Sequence, residues 1–198
     1  MDYKAIKERF ERHGFKTSFF ATKEEAASYL KGEIHGTTVG IGGCMTAREM
    51  GLDQILSGEN QVFWHWNAPG RETLLKARDA KVYILSANGV SETGELVNID
   101  GTGNRLSASL YGPEKVYYLV GRNKLTPDLS SAMSRARNVA ATKNAMRFQK
   151  KTPCVAGGGK KCYDCVCPER ICNAVLILER PCNGMETEVV FIDENLGF

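Results

Sequence analysis

Thr37-Thr38-Val39-Gly40-Ile41-Gly42-Gly43-Cys44-Met45-Thr46-Ala47-Arg48-Glu49 passes from a β-branched run, through glycines, into a helix-start signal. Thr37–Gly43 predicts a strand ending in a glycine loop. Thr46, followed three residues later by Glu49, predicts a capping box that opens a helix. Strand, glycine loop and helix N-terminus in direct succession describe a parallel β–α unit, and so an α/β protein. The loop Gly40-Ile41-Gly42-Gly43 can present backbone N–H groups to an anion. A tight turn that needs positive φ accounts for the same glycines. The spacing fits neither a Walker A loop nor a dinucleotide fingerprint.

The rest of the chain keeps the alternation. Tyr3, Ile6, Lys7 and Phe10 share a helical face, and Gly14 supplies a stop. Thr22-Lys23-Glu24-Glu25 is a capping box opening a helix through about Leu30. Gln61–Trp66 reads as a short aromatic strand, Arg71–Ala77 as a helix and Lys81–Ala87 as the clearest buried strand. Asn104–Leu110 predicts a short helix and Lys115–Val120 a strand. Thr126-Pro127 sets proline at the first position of a long helix with apolar Leu129, Ala132, Met133, Ala136, Val139 and Ala140. Ala174–Leu178 and Glu188–Ile192 predict closing strands joined near Asn183-Gly184, expected as an antiparallel edge pair. The expectation is one α/β domain over residues 1–198 with a parallel-rich sheet.

The 198 residues are 42% hydrophobic and 25% charged, with a net charge of +3. Lys and Arg are spread evenly, which argues against a nucleic-acid surface. No stretch approaches the about 20 apolar residues of a membrane helix. MDYKAIKERFERHGF is charged and amphipathic, without the apolar centre of a secretory signal, so a cytoplasmic location is expected.

Asn88–Arg105, NGVSETGELVNIDGTGNR, is too acidic, amide-rich and glycine-rich for a plain core strand. It follows the strand Lys81–Ala87, where ligands of open α/β sheets gather. Glu92, Glu95 and Asp100 are acid/base or divalent-metal candidates, or acids capping a solvated loop. Asn104 and Arg105 suit a carboxylate or phosphate, and Lys124 follows its own strand in the same way. Cys44 is a nucleophile candidate at a helix N-terminus or a buried small residue. Glu49 is a general-base candidate or the capping acid of Thr46. Of three histidines, His13 fits a helix C-terminus and His65 lies between Trp64 and Trp66; no metal pattern joins them. Phe63, Trp64 and Trp66 read as core or pocket wall.

Seven cysteines are present, six of them between Cys154 and Cys182. In a reducing compartment a disulfide framework explains them poorly. Cys154, Cys162, Cys165 and Cys172 make the best tetrad, with Cys167 as a substitute and Cys182 as bystander. Zn²⁺, a [4Fe–4S] cluster and free thiols are the three readings.

Several segments together resemble the lactate-utilization, or LUD, domain family. They are Gly42-Gly43-Cys44-Met45-Thr46 with Glu49 and Gly51, Asn88, Thr93-Gly94-Glu95-Leu96-Val97-Asn98 and Asp100-Gly101-Thr102-Gly103-Asn104-Arg105. Gly121 with Lys124, Asp164-Cys165, Arg170-Ile171-Cys172-Asn173 and Asp193-Glu194-Asn195-Leu196-Gly197 complete the match. The resemblance implies a three-layer, Rossmann-like α/β core, like that of ribose-5-phosphate isomerase, glucosamine-6-phosphate deaminase and the CoA transferases. It implies a setting in lactate utilization, where related chains accompany iron–sulfur proteins. Many members carry serine in place of Cys44 and lack the cysteine-rich segment, which sets this chain in a separate branch. The function expected is an enzyme or enzyme subunit acting on a small anionic carboxylate or phosphate metabolite. A redox or metal scaffold and a small-ligand sensor are the alternatives. Candidate partners are the metabolite, an iron–sulfur protein and a second copy of the chain.

Overall fold

The computed structural model describes residues 2–198. Its main sheet holds six strands: β1 (Lys16–Phe20), β2 (Thr38–Ile41), β3 (Gln61–Trp64), β4 (Val82–Ser86), β7 (Lys115–Gly121) and β10 (Glu186–Ile192). Their order is β1-β10-β7-β4-β2-β3, and every neighbouring pair is parallel. Side chains alternate across the sheet into two cores. Ile84, Tyr117, Leu119, Val190 and Ile192 face α2 (Lys23–Glu33), α3 (Met45–Glu49) and α4 (Leu52–Ser57). Tyr83, Leu85, Val116, Tyr118 and Phe191 face α1 (Tyr3–Arg12), α5 (Arg71–Arg78) and α6 (Asn104–Leu110). Central strands are therefore buried on both faces, as parallel sheets require. The architecture is three-layered and Rossmann-like, as expected. No helix among the described residues is long and apolar enough to cross a membrane.

A second sheet sits at the end of the first, in the order β8-β5-β6-β9. β5 (Gly89–Ser91) and β6 (Leu96–Asp100) form a hairpin, β9 (Ala174–Leu178) joins β6 antiparallel, and β8 (Leu125–Thr126) joins β5 in parallel. A third core, Val97, Ile99, Ala132 and Ala136, packs it against α7 (Leu129–Arg135). A π-helical segment, Ala136–Ala141, then leads into α8 (Thr142–Arg147). A short α9 (Pro153–Ala156) follows.

Four sequence expectations are corrected. The closing strands do not pair with each other: β9 lies on the edge of the small sheet, while β10 inserts between β1 and β7. Exposed Val175 and Ile177 suit an edge, and the unbroken burial of Thr187–Ile192 suits a centre. The polar stretch after β4 is a buried hairpin, in which Asn88 and Asp100 satisfy backbone N–H groups while the Asn98 amide is buried without a partner. Asn88 Oδ1 accepts from the Ile99 N–H at 2.8 Å, for example. The cap of α3 is Cys44, whose Sγ accepts from the Ala47 N–H at 3.3 Å, and not Thr46, which is fully buried. The cap of α7 is Asp128, which leaves Pro127 outside the helix. The capping box at Thr22 and Glu25 is present as read.

Gly40 fixes how closely α5 approaches β2. A Cβ there would stand 2.0 Å from the backbone oxygen of Ala77. Gly40→Ala should therefore destabilise the fold by about 3 kcal/mol, the upper range for overpacking against unyielding backbone. Chemical denaturation measures this, and an unchanged midpoint would show that the two elements have room to part.

Candidate functional site

The C-terminal ends of β2, β4 and β7 open into a cavity of about 190 Å³. Such a sheet edge is where open α/β proteins place ligands. Its lining includes Gly43, Cys44, Thr46, His65, Ser86, Asp100, Asn104, Arg105, Lys124, Asn144, Arg147 and the final residues Gly197 and Phe198. Of the residues singled out in the sequence, the structure thus brings Gly43, Cys44, Asp100, Asn104, Arg105 and Lys124 together.

The glycine loop contributes space as well as donors. The Gly42 N–H donates to Ile84 O at 2.9 Å and its carbonyl accepts from Trp64 Nε1 at 2.9 Å. Its amide is therefore engaged, which leaves those of Gly43 and Cys44 as the loop's share. A Cβ on Gly42 would stand 3.0 Å from Arg105 Cγ, so this glycine makes room for the arginine stem. Cys44 is buried, and burial pushes its thiol pKa up against the opposing pull of the Ala47 N–H, Lys124 and Arg105. A protonated thiol capping a helix is a poor nucleophile.

Asp100 organises the second loop. Its carboxylate accepts from the Gly101 N–H at 2.8 Å and the Arg105 N–H at 3.0 Å, and lies 3.7 Å from Arg105 Nε. Arg105 also donates from Nη2 to Ile99 O. The guanidinium is thus held at the cavity wall by an acid that is itself spent on backbone donors. Glu49 leaves the predicted capping role: its Oε2 accepts from the Gly197 N–H at 2.8 Å. Glu92 and Glu95 stand outside the cavity. Their turn packs on α1, where Arg9 Nη1 donates to Glu92 O at 3.0 Å and Glu95 accepts from the Thr93 hydroxyl.

Ser86, Asn144 and Arg147 line the cavity and escaped the sequence reading, whereas Lys124, His65 and Trp66 are singled out there. His65 reaches the cavity, and its Nδ1 is buried without a hydrogen-bond partner. Desolvation lowers its pKa, assisted by Arg105 and Arg147 and opposed by Asp100, so the ring is neutral at neutral pH. The Arg147 and Arg48 guanidinium carbons lie 4.9 and 4.8 Å from the Trp66 ring centroid. Lys124 is 3% exposed and donates to the backbone oxygen of Phe198 at 2.7 Å. Desolvation, then the neighbouring Arg135 charge, brings its pKa down to about 7.

A family model described as LUD domain matches residues 3–192. The chain belongs to the LUD domain family. The crystal structure of a DUF162 family protein from Deinococcus radiodurans superposes with a TM-score of 0.54 at 12% identity, covering 96% of this chain and 95% of that one. At that identity the likeness is one of fold. No curated protein matches the chain.

The cysteine-rich segment of this LUD domain adjoins the cavity. Asn173 N–H donates to Asp100 O at 2.9 Å, and Ile171 lines both the cavity and a smaller void of about 20 Å³. Cys154, Cys162, Cys165 and Cys172 all border that void. They are free thiols, and Arg170 ties their loop together by donating to the carbonyls of Cys165 and Cys172. Among the described residues no three His, Cys, Asp or Glu side chains converge as a metal-holding group. The predicted tetrad therefore shares one void without forming a ready ligand set.

Proposed function

We propose that this LUD domain binds a small carboxylate- or phosphate-bearing metabolite at the C-terminal sheet edge and acts on it, as an enzyme or enzyme subunit, in lactate utilization. One observation carries this reading. Arg105, Lys124 and Arg147 line a single cavity whose lining includes only one acidic side chain, Asp100, already paired with Arg105. Such a surplus of partly desolvated cations favours an anionic ligand. Arg105 and the Gly43 and Cys44 amides hold the anion on this reading, with Asn104 as a further donor. The proton carrier is His65, a neutral imidazole facing the cavity, in place of Glu92 or Glu95.

Calorimetric titration with L-lactate, pyruvate and inorganic phosphate tests the reading, and saturable binding of at least one is expected. If none binds at millimolar concentration, the reading is abandoned. The affinity should also depend on pH. A bound anion favours charged Lys124, whose pKa is about 7. Affinity should stay level below that value and fall up to about tenfold per pH unit above it. The sign for stability is consistent. An unfolded lysine takes its proton near pH 10.4, so the ligand-free fold loses stability as pH falls from there towards 7.

A second reading, a thiol-based metal or redox scaffold, is favoured by the four cysteines bordering one void. On this reading Cys154, Cys162, Cys165 and Cys172 close on the void when Zn²⁺ or an iron–sulfur cluster arrives, and binding energy orders the loop. Elemental analysis after anaerobic preparation should then give close to one metal or cluster per chain. A value well below one would count decisively against it.

A further inference from the structure

Basic residues run the length of the chain, but acids do not. Of 26 Lys and Arg and 23 Asp and Glu, eight basic and two acidic residues lie between Arg137 and Cys172, so this stretch carries +6 and the rest of the chain −3. The net charge of +3 therefore hides a strong asymmetry. Folding gathers the stretch into one body. Asn138 Oδ1 accepts from the Cys162 N–H at 2.8 Å, Glu169 Oε2 accepts from the Lys151 N–H at 2.9 Å, and the Met146 thioether lies directly against Gly159. Both acids are engaged inside it, since Asp164 also meets Arg137 at 3.7 Å and Arg170 at 3.3 Å. Among the described residues, no carboxylate lies within ion-pair distance of Lys143, Arg147, Lys150, Lys151, Lys160 or Lys161. All of these but the half-buried Lys150 are exposed.

Apolar side chains stand among these cations. Val166 is 96% exposed, and Met146, Phe148 and Tyr163 are exposed as well. Met146 and Tyr163 flank the run Gly157-Gly158-Gly159, where a Cβ on Gly157 would meet the Tyr163 hydroxyl at 2.8 Å. Exposed apolar groups rimmed by charge mark interaction surfaces, and Met, aromatic residues and Arg are the side chains that protein interfaces favour. The lysines add steering, because they attract an oppositely charged surface and orient it. The aromatic rings argue against a nucleic acid. The Arg147 guanidinium carbon stands 4.1 Å from the Phe148 ring centroid and Lys161 Nζ 5.0 Å from that of Tyr163, so a cation already occupies a face of each ring. A platform for bases offers its faces freely, and Val166 and Met146 gain nothing from a phosphate backbone.

We infer that residues 137–172 form a docking face for a partner protein with an acidic surface. Met146, Phe148, Tyr163 and Val166 supply its apolar contacts and the lysines its charged ones. Asn144, Arg147 and Phe148 also line the cavity, so a partner docked here stands at the cavity mouth. The inference rests on charge and exposure and not on the proposed metabolite, and each can fail without the other.

The probe is a fluorescent acidic peptide of Glu with Leu at every fourth position, titrated with the full chain and followed by anisotropy. Poly-L-glutamate, duplex DNA of matched charge and phosphatidylglycerol vesicles are run alongside. Saturable peptide binding is expected, and it should weaken at least tenfold as salt rises from about 50 mM to about 500 mM. The quadruple variant Lys143→Glu, Lys151→Glu, Lys160→Glu and Lys161→Glu should lose at least tenfold in affinity, with the fold retained by circular dichroism. The double variant Tyr163→Ser with Val166→Ser should weaken peptide binding severalfold and leave poly-L-glutamate binding unchanged. Absent peptide binding, or equal affinity in wild type and the quadruple variant, would overturn the inference. So would peptide affinity indifferent to Tyr163 and Val166, since the face would then only gather counter-ions. Tighter binding of DNA or vesicles than of the peptide would assign the face to that class and reject a protein partner. A dimer seen by sedimentation and dissolved by the quadruple variant would assign it to a second copy and equally overturn the inference.

Discussion

Arg105→Ala is expected to weaken anion binding by about 1.5–3 kcal/mol, roughly ten- to a hundredfold, the scale of a lost charged hydrogen bond. The expectation follows from how the side chain is held. Its stem passes over Gly42, its Nη2 reaches Ile99 O and its Nε faces Asp100. The guanidinium is therefore pre-positioned, so little ordering remains when a ligand arrives. Arg105→Lys should recover only part of the loss, because an ammonium cannot span Ile99 O and Asp100 while meeting a ligand. Titration calorimetry on both variants, alongside circular dichroism to verify the fold, checks this. Equal affinities in wild type and Arg105→Ala would remove Arg105 from the site.

Lys115→Ala should cost about 3–5 kcal/mol of stability, the range for breaking a buried ion pair by deleting one partner. Glu188 is fully buried in the central strand β10, with Lys115 Nζ 3.0 Å from its Oε2 and the Tyr29 hydroxyl donating to Oε1 at 2.8 Å. Lys16 also lies 3.8 Å away, but on a half-exposed side chain. Burial alone would lower the pKa of Lys115; hydrogen bonds to Glu186, Tyr117 and Glu188 outweigh it and hold the pKa well above the usual lysine range. Removing Lys115 leaves the buried Glu188 carboxylate with only the Tyr29 hydroxyl and the more distant Lys16 as partners. Urea unfolding measures the deficit, and Lys115→Met, which keeps most of the stem, should lose nearly as much; recovery of most of the stability in that variant would point to lost packing instead.

Much of the fold is visible in the sequence because its signals are local. Val82–Ser86 and Lys115–Gly121 are continuous apolar runs, and they form the centre of the sheet. Thr22 and Glu25 carry their capping box in four residues. What escaped depends on distant partners. That Glu188 is buried at the start of its strand is decided by Lys115 and Tyr29, which arrive from other elements. The hairpin of β5 and β6 reads as a loop because Asn88 and Asp100 find their backbone partners only once folded. The pairing of β9 with β6, and of β10 with β1 and β7, is set by topology that strand propensity does not encode.

The candidate site divides along the same line. Gly43, Asp100, Asn104, Arg105 and Lys124 follow strand ends, so the topology of an α/β sheet is enough to gather them. Asn144 and Arg147 lie beyond the π-helical turn, in a helical stretch whose ordinary period gives no sign of it. Glu92 and Glu95 follow a strand as well, yet the hairpin carries them to α1. For the cysteines, spacing reveals the cluster but cannot supply the geometry of the void.

The central claim is that a small anion binds at the C-terminal edge of the main sheet. An amide-resolved NMR titration of ¹⁵N-labelled protein with pyruvate, L-lactate and inorganic phosphate tests it most directly. The account predicts saturable shifts concentrated on the amides of Gly43, Cys44, Gly101, Asn104, Arg105 and Gly197. Shifts confined to other surfaces, or none at millimolar ligand, would contradict it.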